Sequence, residues 1–234
     1  MARLGLLLLL SLMQSQAHAL INLLVYDYPP LVETHQDTEP TGQVVDLIKP
    51  LFKRAEVPYQ FVKQPLRRAL HQTSQQRDYC AFPVARTQQR EANFKWIGPI
   101  AITRHSFYST SDNPIQLVTL NDAKELTIGV FAGSGVSKYL KDNRFKIYET
   151  SSIQQGMQML KHRRIDLWVT EAQATKELAN YGMTNLNSNL SFYTSISFMA
   201  CNRDLPEKIH RALTTELSHM HRSGETQALL HVGF

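Results

Sequence analysis

Arg90 is the residue of this chain best suited to gripping a small anion. Its planar guanidinium can meet a carboxylate with two parallel charge-assisted hydrogen bonds, a geometry that no lysine reproduces. The stretch around it (Arg86, Thr87, Gln88, Gln89, Glu91) is polar enough for an ordinary surface, and Arg86 adds a second cation. Gly133-Ser134-Gly135 is the next candidate. Backbone N–H groups at a helix start favour negative charge, and Ser134 could cap that helix, donate to a ligand, or do both. Other chemistries are missing from the pattern. No serine–histidine–aspartate arrangement, nucleophile elbow or phosphate loop is visible. Of the nine histidines, only His219-x-His221 comes near metal-ligand spacing, and that pair reads as two solvated positions of a long helix. Trp96 and Trp168 read as core or hinge packing. Neither a cofactor nor a metal is expected.

The elements that must position these groups follow from the apolar periodicity. Ile21–Tyr26, Tyr59–Val62 and Tyr79–Val84 read as strands, with helices over Val44–Ala55 and Leu66–Thr73 between them. A second β-α-β-α-β unit follows: strand Leu126–Phe131, helix Val136–Lys141, strand Phe145–Tyr148, helix Ile153–His162, strand Ile165–Val169. Extended runs at Ile97–Ser109 and Leu190–Cys201 cross between the units. Helices over 171–181, Pro206–His221 and onward to Phe234 complete the chain. Alternation of this kind predicts an α/β protein of two lobes, each a mainly parallel sheet flanked by helices, with a cleft between them. Arg90 then stands just after a strand, at the carboxyl edge of its sheet, where open α/β sheets bind ligands. That position favours a binding role for it over plain surface exposure. Tyr28 follows the first strand and would project toward the same cleft as a flat cover, or pack as a core tyrosine beside two prolines.

Composition sets the class. Hydrophobic residues make up 43% and charged residues 19%, with a mean hydropathy of −0.28, which excludes a disordered chain, a disulfide-knot scaffold and a collagen-like fibre. The formal charge of +5 is scattered. Short clusters stand only at Arg67-Arg68 and His162-Arg163-Arg164, so nucleic acid is not an expected partner. Residues 1–19 carry one arginine, an apolar run from Leu4 to Leu12, and Ala17-His18-Ala19. This is the pattern of a cleaved secretory leader, with Leu20 as the first mature residue. A periplasmic location is expected, and removal of the leader lowers the formal charge by one.

Tyr28-Pro29-Pro30-Leu31, Gly42-x-x-x-Asp46-Leu47 and Arg68-Ala69 ahead of Asp78 come in a telling order. They are followed by Thr87-Gln88-Gln89-Arg90-Glu91, Trp96-Ile97-Gly98-Pro99, Ile128-Gly129-Val130 with Gly133-Ser134, and Arg164-Ile165-Asp166. The ordered set, spread over nearly the whole mature chain, resembles the extracellular solute-binding proteins of family 3. That resemblance implies the type II periplasmic-binding-protein fold, with two hinge strands and closure around a ligand. It implies a division into lobe 1 (20–103 and 197–234) and lobe 2 (104–196).

The resemblance also assigns roles. Arg90, ending Thr-x-x-Arg, would hold a ligand α-carboxylate. Glu171 would meet an α-ammonium, although it could equally be the first-turn acid of its helix. Ser134 and Gly133 would contact the ligand, with Gly135 standing where the resembling proteins often carry a second hydroxyl. Arg68 reads as a cleft-lining or a solvated helix residue, and Arg86 as a further cleft cation. Asp166 reads as structural at its strand start. Leu66 replaces an aromatic wall. Phe82-Pro83-Val84-Ala85 lacks the hydroxyls expected before Thr-x-x-Arg, which leaves room for a ligand other than a standard amino acid. In the resembling fold, Cys80 and Cys201 lie on neighbouring antiparallel strands, and a bridge between them is expected. The implied function is a monomeric, non-enzymatic binder of a small carboxylate-bearing solute, read by an inner-membrane ABC permease or a sensor. Two alternatives stay open. One is an enzyme like cyclohexadienyl dehydratase, with Glu171 or Glu33 as acid/base; the other is an interaction module with a vestigial cleft.

Overall fold

The computed structural model describes residues 20–35, 38–171, 179 and 183–230. The leader expected over 1–19, most of the helix expected over 171–181, and the last four residues of the C-terminal helix lie outside these residues.

In the first unit, β1 (Ile21–Val25) lies between β2 (Tyr59–Lys63) and β3 (Tyr79–Ala85) and runs parallel to both. Parallel neighbours need crossovers, supplied by α1 (Gln43–Arg54) and α2 (Leu66–Gln75). Helix α1 buries Val44, Leu47, Ile48, Leu51 and Phe52, a spacing of three and four that puts them on one face against Leu23, Val25 and Phe82. Helix α2 buries Leu66, Ala69 and Thr73, with Leu70 partly buried beside them. A one-turn α3 (Gln88–Glu91) follows β3.

The second unit repeats the plan. β5 (Ile128–Phe131) lies between β6 (Ile147–Thr150) and β7 (Leu167–Glu171), parallel to both, with α4 (Gly135–Asp142) and α5 (Ile153–Lys161) as crossovers. Strands β6 and β7 each begin two residues later than the apolar runs suggest. Arg144 and Arg163 adopt positive φ angles of 60° and 53°, and the tight turns they make leave Phe145 and Ile165 as buried plugs ahead of the strands. Asp166 then anchors its strand by accepting a hydrogen bond from the Thr127 N–H at 2.7 Å, the structural role expected of it. Trp168 is fully buried in the core.

Two strands of 17 residues each, β4 (Phe94–Thr110) and β8 (Leu186–Asn202), run antiparallel through the middle of the molecule. The C-terminal part of β8 pairs with β3, and the later part of β4 pairs with β7. The eight strands therefore form one sheet in the order β2-β1-β3-β8-β4-β7-β5-β6. After β8 the chain returns to the first unit as α6 (Glu207–Ser223), whose Leu213, Leu217 and Met220 share a core with α1, followed by the short α7 (Gln227–Leu230).

Cys80 on β3 and Cys201 on β8 are directly opposite in register and are disulfide-bonded. The bridge joins residues 121 positions apart. On the chain-entropy model a loop of that size stabilises the fold by roughly 4–5 kcal/mol. Reduction, or Cys80→Ala with Cys201→Ala, should lower the unfolding free energy in urea by about 2–5 kcal/mol. An unchanged denaturation midpoint would show that the bridge contributes nothing.

Candidate functional site

The floor of the site is the middle of β4 and β8. Register sets Glu171 of β7, His105 of β4 and Tyr193 of β8 side by side in one row. Thr103 and Ser195 form the next row, and Ala101, Ser197 and Ala85 of β3 the one after. Successive side chains alternate between faces, so these residues at intervals of two point to the same side of the sheet. Around that floor stand Tyr26, Tyr28, Leu66, Arg90, Phe131, Ser134 and Gly135. Together they enclose a cavity of about 20 Å³, room for about one water molecule.

One wall is cationic. The Arg90 guanidinium donates to the backbone carbonyls of Ala85 at 3.1 Å and Gly133 at 2.6 Å. Among the described residues no carboxylate forms an ion pair with it, and its burial pushes its pKa down from the ordinary arginine value. Behind the Tyr28 and His105 wall lies an acid. Glu171, only 4% exposed, accepts a hydrogen bond from the Tyr28 hydroxyl and lies 3.2 Å from His105 Nε2. Burial lowers the His105 pKa against the opposing pull of Glu171. Burial and the nearby Glu171 raise the Tyr28 pKa, so the phenol keeps its proton to donate. The cleft thus holds a buried guanidinium and a buried carboxylate, each satisfied by neutral dipoles or by an imidazole biased toward its neutral form.

Direct contacts close the two units over this cavity. Arg90, from the first unit, reaches Gly133 in the β5–α4 loop, and Tyr28 reaches Glu171 at the end of β7. Tyr26 stacks on Phe131 with ring centroids 5.8 Å apart. At the rim, Arg67 of α2 forms an ion pair with Glu149 of β6, which also accepts from Ser137 and faces Lys141 at 3.5 Å. Gly135 marks a close approach of the units. A Cβ built there would stand 2.9 Å from Ala85 Cβ and 3.2 Å from the Tyr193 hydroxyl. A side chain in place of Gly135 would hold α4 away from β3.

The structure brings Arg90, Glu171, Tyr28, Ser134 and Gly133 together, as the sequence motifs imply. Ser134 caps α4: its Oγ accepts from the Ser137 N–H at 3.1 Å and donates to the Phe131 carbonyl at 2.8 Å. Glu171 ends a strand. Arg86 and Arg68 do not join the group. Arg86 forms a bidentate pair with Glu91, and its guanidinium lies 5.6 Å and 5.0 Å from the rings of Trp96 and Phe198. It projects on the face of β3 opposite Ala85, because one residue of a strand reverses the side. Arg68 is exposed, and its neighbour Arg67 makes the cross-unit contact instead. Glu33 lies in the Glu33–Thr41 bridge near His35, away from the cavity. Residue-by-residue reading missed His105, Thr103, Ser195 and Ser197. Their signal is the alternation Thr103-x-His105 and Ser195-x-Ser197, which becomes informative only once β4 and β8 are known to pair.

The family model for bacterial extracellular solute-binding proteins, family 3, matches residues 21–231. A search of curated protein sequences finds no significant match. Among solved structures, the chain is similar to a histidine kinase sensor domain that itself resembles periplasmic binding proteins, with a TM-score of 0.82 at 16% identity over 91% of this chain and 94% of that one. It is similar to a mutant arginine-binding protein of T. maritima, with a TM-score of 0.77 at 17% identity over 90% and 92%. It is also similar to an ancestral amino-acid-binding protein described as a precursor of cyclohexadienyl dehydratase, with a TM-score of 0.75 at 18% identity over 89% and 92%. At these identities the likeness shows the fold, a type II periplasmic binding protein.

Two outcomes follow from the closing contacts. Gly135→Ala should push the units apart, which small-angle scattering would read as a larger radius of gyration. An unchanged radius would mean that this approach does not govern closure. Burial alone would raise the Glu149 carboxyl pKa, but the Ser137 hydrogen bond and the charges of Arg67 and Lys141 outweigh it and hold the value at about 2. A depressed carboxyl contributes fully above its ordinary 4.5 and loses that contribution as pH falls toward about 2. The rim pair should therefore persist at pH 5, with the same scattering profile as at pH 7. Opening between those two values would refute it.

Proposed function

We propose that this chain, which belongs to the bacterial extracellular solute-binding proteins of family 3, closes around a small carboxylate-bearing solute, an amino acid or a related polar molecule. An ABC-type permease or a sensor in the inner membrane would read the closed state. The observation that carries this reading is Arg90. A largely buried guanidinium that meets only backbone carbonyls among the described residues is an uncompensated cation, and removing a charge from water is unfavourable unless an opposite charge arrives. A ligand carboxylate supplies it bidentately. Glu171, buried behind Tyr28 and His105 of the cavity wall, becomes the matching acceptor for an ammonium once a ligand displaces the Tyr28 contact.

Lobe 1 takes in residues 20–103 and 197–234, and lobe 2 residues 104–196. The switch of β4 and β8 from first-unit to second-unit neighbours near Ala101–Thr103 and Ser195–Ser197 supports those limits. Bending at these residues opens the cleft, and a ligand that prefers the closed form shifts the population toward it. An extracellular family belongs in the periplasm or outside the cell, in keeping with cleavage of the leader after Ala19. No helix among the described residues is long and apolar enough to cross a membrane. The protein acts as a monomer and as a binder rather than an enzyme. The Glu171–His105 pair supports the second reading, a periplasmic enzyme in which that carboxylate and imidazole move a proton on a bound carboxylate substrate.

Thermal-shift screening against amino acids, small carboxylates and prephenate-like compounds tests both readings. A true ligand raises the melting temperature, and Arg90→Ala weakens it by roughly 100-fold, as expected for truncating one partner of a buried charge pair. Conversion of that ligand, followed by chromatography, would replace the binder with the enzyme. A full panel without a hit would leave the interaction module.

A further inference from the structure

Thr103, Ser195 and Ser197 face the cavity while 3%, 6% and 7% exposed. Among the described residues, no hydrogen bond engages their hydroxyls. These hydroxyls are not among the fully sealed, unpartnered polar atoms of the described residues, so they open onto the cavity, and three of them on one patch of floor can hydrogen-bond a partner that is not protein. The neighbouring pair Ser106 and Ser191, further along the same two strands, shows the contrast. These two serines satisfy each other at 2.6 Å. Ala85 and Ala101, the smallest side chains of the floor, flank Ser197 in its row and leave space above it.

We infer that this hydroxyl floor is the specificity subsite of the cleft, and that it selects a ligand whose remaining group is short, uncharged and hydrogen-bonding: an amino acid with a hydroxyl or carboxamide side chain. The inference rests on the reading of the cleft as a carboxylate-binding site. Arg90 takes the carboxylate and Glu171 the ammonium, so both buried charges of the cavity are already matched. A second ligand charge would enter a patch lined by hydroxyls and methyls, with no counter-charge to offset its desolvation. An apolar side chain would cover three hydroxyls and leave them without water or partner, and that is where polar sites discriminate most strongly. A hydroxyl or carboxamide both donates and accepts, and serine and threonine hydroxyls rotate to match either. The closed cavity of about 20 Å³ is smaller than any amino acid. The ligand must therefore replace the Arg90–Gly133 and Tyr28–Glu171 contacts rather than fill a ready space, and short side chains need the least separation of the units.

Calorimetric titration with near-isosteric pairs tests this directly. Threonine should bind at least about tenfold more tightly than valine, and asparagine more tightly than leucine. Aspartate, glutamate, lysine and arginine should bind more weakly than asparagine. Thr103→Val, Ser195→Ala and Ser197→Ala, each first checked for an unchanged melting temperature without ligand, should shrink the threonine-to-valine ratio toward one, weakening threonine and tightening valine. Because these variants remove only hydroxyls, a cavity that binds valine as well as threonine, or prefers a charged amino acid, overturns the inference while leaving the carboxylate reading intact. Failure of every amino acid to bind, with Arg90→Ala indistinguishable from wild type, overturns both.

Discussion

Register between β4 and β8 is the constraint from which the site follows. Because these strands pair along most of their length, a residue contributed by one has its neighbours on the other fixed to within a side-chain rotamer. A slip of one position would turn Thr103, His105, Ser195 and Ser197 away from the cleft and bring Ile102 and Ile196 into it. The same strands carry the units on either side. Arg90 hangs from the end of β3, which pairs with β8, and Glu171 ends β7, which pairs with β4. In the closed form the placement of the two charged groups thus follows from strands that share one ladder, and bending of that ladder would separate them.

The electrostatics of the closed molecule have a corresponding logic. A buried cation lines the small cavity, and a buried anion stands behind the Tyr28 and His105 that line it. Each is held by dipoles contributed across the cleft: a carbonyl of Gly133 for Arg90, and a phenol from the first unit for Glu171. These contacts let the units close on themselves with one ionised partner in each, whereas a zwitterion would bring an opposite charge to both. A ligand has to compete with them, so its apparent affinity reflects the difference between two sets of hydrogen bonds rather than the strength of one.

Much of this was legible in the amino-acid order. The two β-α-β-α-β units and the long crossings were readable from periodicity alone, and Arg90, Ser134 and Tyr28 were marked by standing just past strand ends. The errors have local causes. Arg86 stands apart because a single position along a strand reverses direction, and Arg68 takes the solvated helix position open to it, one step of about 100° from the Arg67 that makes the cross-unit contact. The late starts of β6 and β7 are not legible in the apolar runs, because the positive φ at Arg144 and Arg163 leaves no apolar signature. The hydroxyl floor was invisible for a different reason. Thr103 and Ser195 lie far apart in the chain, and only the long-range pairing makes them neighbours.

The disulfide has a topological consequence. Cys80 and Cys201 tie the chain at the point where β3 and β8 lie side by side, so the whole second unit is strung between two covalently joined strands. Topologically it is an insert in a closed ring, entered and left at one place. A protease that cut any exposed turn of the second unit would produce two fragments that still travel together as one molecule. Closure of the cleft needs both units held within reach of each other, and the cross-link preserves that proximity after the backbone itself has been broken.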